Sequence, residues 1–114
     1  MTALYKITTA IEWHEAQTAG KFQGSALDLK DGFIHLSTAD QVRDTARLHF
    51  AEQNDLVLVA VAENEVRLHL KWEPSRGGKL FPHVFSSLNP ASVLWVKALP
   101  WDGTSHQFPR EFIA

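Results

Sequence analysis

The chain has 114 residues, 45% of them hydrophobic, no cysteine and a formal net charge of −2. One compact domain over residues 1–114 is therefore predicted, without disulfides, thiolate metal sites or cysteine catalysis, and the acidic balance argues against DNA binding. The N-terminus lacks a secretory signal pattern and the longest apolar run, residues 56–62, is too short to cross a bilayer, so a cytoplasmic protein without a membrane partner is predicted.

A strand and a capped helix are predicted at the start of the chain. Residues 4–8, LYKIT, alternate so that Lys6 and Thr8 share one face of the strand. Thr9 and Glu12 have the spacing of a capping box, in which the two side chains satisfy backbone N–H groups at a helix start. The first helix is therefore expected to begin directly after this strand.

A second strand and helix follow a predicted loop. The first helix is expected to end at Gly20, because glycine adopts the left-handed conformation of a helix stop. Residues 21–31 are predicted as a loop and residues 32–37 as a strand. The hydroxyl residues Ser37 and Thr38 are typical of a helix start, and the next residues have helical spacing.

The second half of the chain predicts four further strands, at 55–62, 66–72, 81–86 and 93–99. Within 66–72 the alternation places Leu68 and Trp72 toward the core and Lys71 toward solvent. Two early helices with about six strands indicate an α+β fold. We expect the two helices to pack on a split sheet of mixed or antiparallel pairing.

The histidine inside the segment GFIHLST, residues 32–38, raises the question of function. Alternation places Phe33, His35 and Ser37 on one face of the strand, next to the start of a helix. A helix N-terminus offers free N–H groups and suits phosphate or carboxylate ligands. The alternative is a structural histidine in the core, with Ser37 or Thr38 serving only as the helix cap.

Similar polar residues recur in other apolar strands. Lys6 and Thr8 lie in the first strand, Glu73 ends the strand at 66–72, and His83 lies between large apolar residues. Because polar groups in apolar strands must be paired, we expect several of them to converge with His35 on one cleft. The histidines lack the short spacing of metal ligands, so no metal site is predicted.

The segments LYKIT (4–8), DGFIHLST (31–38), LKWEPSRGGKLFPHVFSSL (70–88) and the last short strand together resemble one small bacterial family, the domain-of-unknown-function 952 family. The resemblance covers residues 3–99, and the tail at 100–114 lies outside it. It implies an ADP-ribosyltransferase-like fold, in which two small sheets separate around an NAD cleft. NAD or another nucleotide-like ADP-ribosyl compound is then the expected ligand.

The resemblance also implies roles for individual side chains. The residues expected to bind the ribose and phosphates of the ligand are Lys6, Thr8, His35, Ser37 and Thr38. Glu73 is the candidate carboxylate that stabilises a developing oxocarbenium ion, and His83 is the candidate orienter or acid–base group. The structural alternative for Glu73 is an exposed carboxylate paired with Lys71 or Arg76.

Two departures from the family pattern leave a second function open. Members of the family often have histidine at the position of Lys6 and tyrosine at the position of Phe85. Lysine carries a charge but lacks the acceptor of an imidazole, and phenylalanine lacks a hydroxyl. The alternative to ADP-ribosyl transfer is a non-catalytic module that binds a nucleotide-like or phosphate-containing small molecule, or a protein.

Overall fold

Two three-stranded antiparallel sheets form the framework of the fold in the computed structural model, which describes residues 2–112. The strands are β1 (Ala3–Thr9), β2 (Ile34–His35), β3 (Leu56–Ala62), β4 (Leu70–Pro74), β5 (Leu80–Val84) and β6 (Trp95–Leu99). The helices are α1 (Ala10–Ala19), α2 (Ala26–Asp31), α3 (Ala39–His49) and α4 (Glu63–Val66). Single 3₁₀ turns cover Arg67–His69, Arg76–Gly78 and Pro90–Ser92.

The first sheet has the order β1-β3-β6 and is covered on both faces. Its central strand is the apolar run LVLVAVA, in which Leu58 and Val59 point to opposite faces and are both fully buried. Leu58 packs in a cluster with Val42 of α3, and Val59 in a cluster with Trp13 of α1. The two early helices therefore lie on this sheet, as the sequence predicts.

The second sheet has the order β2-β5-β4, and a backbone bridge connects it to the first sheet just after β2. There, Tyr5 of β1 and Ser37 exchange two backbone hydrogen bonds, of 2.8 and 2.9 Å. Beyond this junction β1 and β2 belong to different sheets. The α+β class, the helices on the sheet and the split sheet are confirmed, with all strand pairs antiparallel.

The predicted loop at 21–31 is wrong over its second half, where α2 lies. Ser25 caps this helix and exchanges hydrogen bonds with Asp28 in a capping box. The helix has no apolar stripe, because Leu27 and Leu29 are both exposed. Its buried residue is Asp28, so the hydrophobic pattern gave no sign of a helix here.

The predicted strand at 66–72 is also wrong in its first half. The chain turns through α4 and a 3₁₀ turn before β4 begins at Leu70. Leu68, assigned to the core by alternation, is 86% exposed, and Trp72 is 41% exposed. Alternation over residues 66–72 mixed a helical turn with an edge strand, which has one side unpaired.

The tail after residue 99 packs on the domain as far as the structure describes it. Phe112 is buried, and its ring lies edge-on to Tyr5 with the centroids 5.0 Å apart. Arg43 of α3 places its guanidinium over the same ring, 4.9 Å from the centroid. In residues 2–112, no helix is both long and apolar enough to cross a membrane.

Candidate functional site

A cavity of about 530 Å³ lies between the two sheets, and we call it the cleft. Its polar lining includes Lys6 of β1, Glu12 of α1, Asp28 of α2, His35 of β2, Ser37 and His83 of β5. Tyr5 and the apolar residues Ile7 and Phe81 are also part of the wall. The volume is within the range of small-molecule sites in proteins.

Asp28 is the most connected group in the cleft. It is 1% exposed, and its Oδ1 accepts hydrogen bonds from the backbone N–H of His35, at 3.1 Å, and from His35 Nδ1, at 2.6 Å. Its Oδ2 accepts from the backbone N–H of Ser25, at 2.9 Å, and faces Lys6 Nζ at 2.7 Å. One carboxylate thus links β1, β2 and the start of α2.

The buried pair of Lys6 and Asp28 is held in its charged form. Burial by itself raises the pKa of Asp28, but the hydrogen bond from His35 and the charge of Lys6 outweigh it and hold that pKa far below its ordinary value. Burial lowers the pKa of Lys6, and Asp28 opposes this change. Lys6 also donates to the carbonyl oxygen of His35, at 3.2 Å.

His35 lies between two carboxylates. Its Nδ1 contacts Asp28, and its Nε2 is 3.0 Å from Oδ2 of Asp31 in the last turn of α2. Both ring nitrogens of His35 therefore face a carboxylate oxygen, which is a hydrogen-bond acceptor. With its side chain 29% exposed, His35 borders the cleft and is also part of the structural network around Asp28.

His83 forms a second histidine–carboxylate pair. It is 5% exposed, and its Nδ1 lies 2.7 Å from Oε1 of Glu73 on the neighbouring strand. Phe33 stacks on the ring, with the centroids 4.2 Å apart and the planes 27° from parallel. His35 is directly opposite His83 in the β2–β5 pair, and the two ring centroids are 5.3 Å apart.

Glu12 brings a further carboxylate to the cleft. Its Oε1 accepts hydrogen bonds from the hydroxyls of Thr8, at 2.7 Å, and Thr9, at 3.0 Å. Burial by itself raises the pKa of Glu12, but these hydrogen bonds and the charge of Lys6 lower it overall. The sequence marked Glu12 only as a helix cap, and its second role follows from β1 and α1 being adjacent.

Lowering the pH should destabilise the protein through these carboxylates. Because the pKa values of Asp28 and Glu12 are lower in the folded protein, their contribution to stability is present above the unfolded pKa of about 4 and is lost as the pH falls through the folded value. Denaturant unfolding at pH 7 and at steps below pH 4 measures this loss. Glu12→Gln, which keeps the capping geometry, should show a shallower decline than wild type; an identical decline would contradict the role of Glu12.

The structure brings together four of the residues proposed from the sequence, because Lys6, His35, Ser37 and His83 all line the cleft. Glu73 does not line it and reaches it through His83.

Thr8 and Thr38 also lie outside the lining of the cleft. Thr8 is buried and donates its hydroxyl to Glu12, and the backbone N–H of Thr38 donates to Oε1 of Gln41. At the start of α3, one backbone N–H group is therefore already hydrogen-bonded to a side chain of the same helix. Among residues 2–112, no cluster of three or more histidine, aspartate or glutamate side chains has the geometry to hold a metal ion.

The fold and the cleft define a class of small α+β domains in which two antiparallel sheets separate around a polar cavity. A family model described as "Protein of unknown function (DUF952)" matches residues 7–96. The chain therefore belongs to the DUF952 family, as its motifs indicate.

Solved structures of one relative support this assignment. The crystal structure of protein CC0527 from Caulobacter crescentus has 44% sequence identity and a TM-score of 0.88, covering 93% of this chain and 94% of that chain. A solution NMR structure of CC0527 has the same identity, a TM-score of 0.82 and coverage of 93% and 91%. A comparison with curated proteins gives no match.

Proposed function

We propose that the chain binds an ADP-ribosyl compound such as NAD in the cleft and that His83 is the acid–base group for cleavage of its N-glycosidic bond. The observation that carries the proposal is a buried histidine at the wall of a ligand-sized cavity, with one ring nitrogen held by a carboxylate. The choice of ligand rests on the ADP-ribosyltransferase-like fold that the family resemblance implies, in which two small sheets separate around an NAD cleft.

The Glu73 contact fixes how His83 is able to act. When Nδ1 donates to Glu73, the neutral ring presents Nε2 as an acceptor. Among the described residues, Nε2 of His83 has no hydrogen-bond partner, so a ligand or a water molecule is able to take that place. Glu73 is then a positioning residue, and His83 is the group that exchanges a proton with the ligand.

The charges around the cleft support a cationic or oxocarbenium-like group deep in the site. Asp28 and Glu12 are two carboxylates with lowered pKa values, and Lys6 is the ammonium between them. This balance is negative and stabilises positive charge that develops when a glycosidic bond breaks. A phosphate is repelled there, so we place the phosphates of the ligand toward the mouth of the cleft.

Turnover of NAD by wild type and His83→Gln tests this proposal. We expect wild type to release nicotinamide and the variant to lose about 10²–10⁴-fold in kcat, with a much smaller change in KM. Glu73→Gln should change the pH profile, because it alters the partner that fixes the ring. His14→Gln is the control, since His14 is an exposed histidine on α1. Equal turnover by wild type and His83→Gln would contradict the proposal.

A non-catalytic binding module is the second candidate, and the saturation of the cleft by its own hydrogen bonds favours it. Asp28 has four hydrogen-bonding contacts and Glu12 has three on one oxygen. A melting-temperature increase with NAD or ADP-ribose, without any product, supports this alternative because a ligand stabilises the state that binds it. No increase with either compound at millimolar concentration contradicts both functions.

We further propose a cytoplasmic location and a bacterial origin. The absence of cysteine suits a reducing compartment. The relative CC0527 comes from Caulobacter crescentus.

A further inference from the structure

Strand β4 has one side unpaired. It is the last strand in the order β2-β5-β4, and it carries the sequence LKWEP. Lys71 and Trp72 are both exposed, and Trp72 has a relative exposure of 41%. An edge strand of this kind presents free backbone N–H and C=O groups that are able to pair with another strand.

The hydrogen-bond pattern shows which groups of β4 face outward. The carbonyl of His69 accepts from the N–H of Phe85, at 2.8 Å. In an antiparallel ladder the residues that bond to one neighbour alternate, so Lys71 and Glu73 direct their backbone groups to β5. The N–H and C=O of Trp72 consequently point to the free side of the strand.

The side chains of β4 are complementary to a second copy of the same strand. If two β4 strands pair antiparallel with Trp72 at the twofold axis, Trp72 faces the partner's Trp72, and Lys71 faces the partner's Glu73. The symmetry repeats this ion pair, so each copy supplies one lysine and one glutamate. Opposite charges at directly facing positions stabilise strand pairing.

We propose that the chain forms a symmetric homodimer through β4, in which the second sheet continues into the second sheet of the partner. The two Trp72 residues exchange their outward N–H···O bonds, and two Lys71–Glu73 pairs flank them. The N–H of Leu70 donates to the carbonyl of Arg67 within its own chain, and Pro74 has no N–H. Pairing is therefore centred on Trp72 and depends on protein concentration.

The same residues make the edge selective. Lysine and proline on an edge strand normally discourage pairing with other chains. Here, Lys71 meets an opposite charge only in the register centred on Trp72, and a shift by one residue moves the charged side chains to the other face. The strand therefore accepts its own copy and rejects most other edges.

The dimer also reaches the candidate functional site. Oε1 of Glu73 holds Nδ1 of His83, and among the side chains that the structure describes Oε2 of Glu73 has no partner. The partner's Lys71 is the natural partner of that second oxygen. Each copy thus contributes an ammonium group next to the histidine–carboxylate pair of the other. This inference does not depend on which ligand binds in the cleft.

Sedimentation equilibrium from micromolar to millimolar protein tests the dimer. We expect concentration-dependent association in wild type and at least about tenfold weaker association in Lys71→Glu, because a glutamate then faces a glutamate at both symmetric positions. The double exchange Lys71→Glu with Glu73→Lys restores opposite charges across the interface and should return association to near the wild-type level. Trp72→Thr, which keeps a good strand former at an exposed position, should weaken association without loss of folding.

Lys97→Glu is the matched control, since Lys97 is about half exposed on β6 at the edge of the other sheet. It makes the same charge change and should leave association unchanged. A wild-type protein that stays monomeric at millimolar concentration overturns the proposal. The proposal is also overturned if the double exchange does not restore association, because the facing charges would then not determine whether the two copies associate.

Discussion

Replacing Asp28 with alanine should lower the free energy of unfolding by about 3–5 kcal/mol, since it leaves the ammonium of Lys6 buried without its carboxylate partner. The substitution also removes the acceptor for His35 and for the backbone N–H of Ser25. Denaturant unfolding at neutral pH measures the loss.

Two further variants separate this effect from a general cost of substitution. Asp44→Ala removes an exposed carboxylate that is paired with Arg47, and it should cost no more than about 1 kcal/mol. A double change of Lys6→Met and Asp28→Asn leaves no buried charge in the pair and should recover part of the stability lost in Asp28→Ala. Equal losses in Asp28→Ala and Asp44→Ala would contradict the central place of Asp28.

Replacing Gly24 with alanine should lower the free energy of unfolding by about 3 kcal/mol. Gly24 has φ of +121°, and an added Cβ would lie 2.5 Å from Cβ of Asp28. Alanine at this position therefore strains the backbone and also displaces the carboxylate that links the two sheets. Circular dichroism should show an unchanged fold with a lower melting temperature.

Gly20→Ala provides the matched control for Gly24→Ala. Gly20 has φ of +83° at the end of α1, and an added Cβ would meet no atom within 4 Å. Its cost should be the left-handed backbone alone, about 1–2 kcal/mol. If the two alanine variants lost the same stability, the contact of the added Cβ with Asp28 would make no contribution to the loss.

The sequence predicts those parts of the fold that depend on local patterns. Helix α1 begins after the capping box of Thr9 and Glu12 and ends at Gly20, as expected. These signals are predictable because they depend on residues within one turn. The run LVLVAVA is the central strand of its sheet, since a strand covered on both faces is apolar throughout.

Helix α2 shows where local patterns fail. Ser25 and Asp28 have the spacing of a capping box, with aspartate in place of glutamate, but the exposed Leu27 and Leu29 give no apolar stripe. Tertiary contacts stabilise the helix, because Asp28 forms hydrogen bonds with residues of two strands. The most connected residue of the cleft was therefore missed, and the capping-box spacing of Ser25 and Asp28 was the signal that could have found it.

The candidate site was predictable in its residue types but not in its connections. Polar residues in apolar strands marked His35 and His83, and register alone places them opposite each other. Register depends on which strands pair, and a single sequence does not specify this. For the same reason Glu73 could be named, but its contact with His83 could not be predicted.

The connections of Asp28 have a consequence for how wide the cleft is able to become. Lys6 belongs to one sheet and His35 to the other, and a single carboxylate spans the gap between them. The Asp28 side chain is thus one of the links that set the width of the cleft, together with the hydrogen bond from Lys6 to the carbonyl oxygen of His35. A longer acid at this position would disturb these contacts, so widening the cleft for a larger ligand would weaken contacts that keep the two sheets aligned.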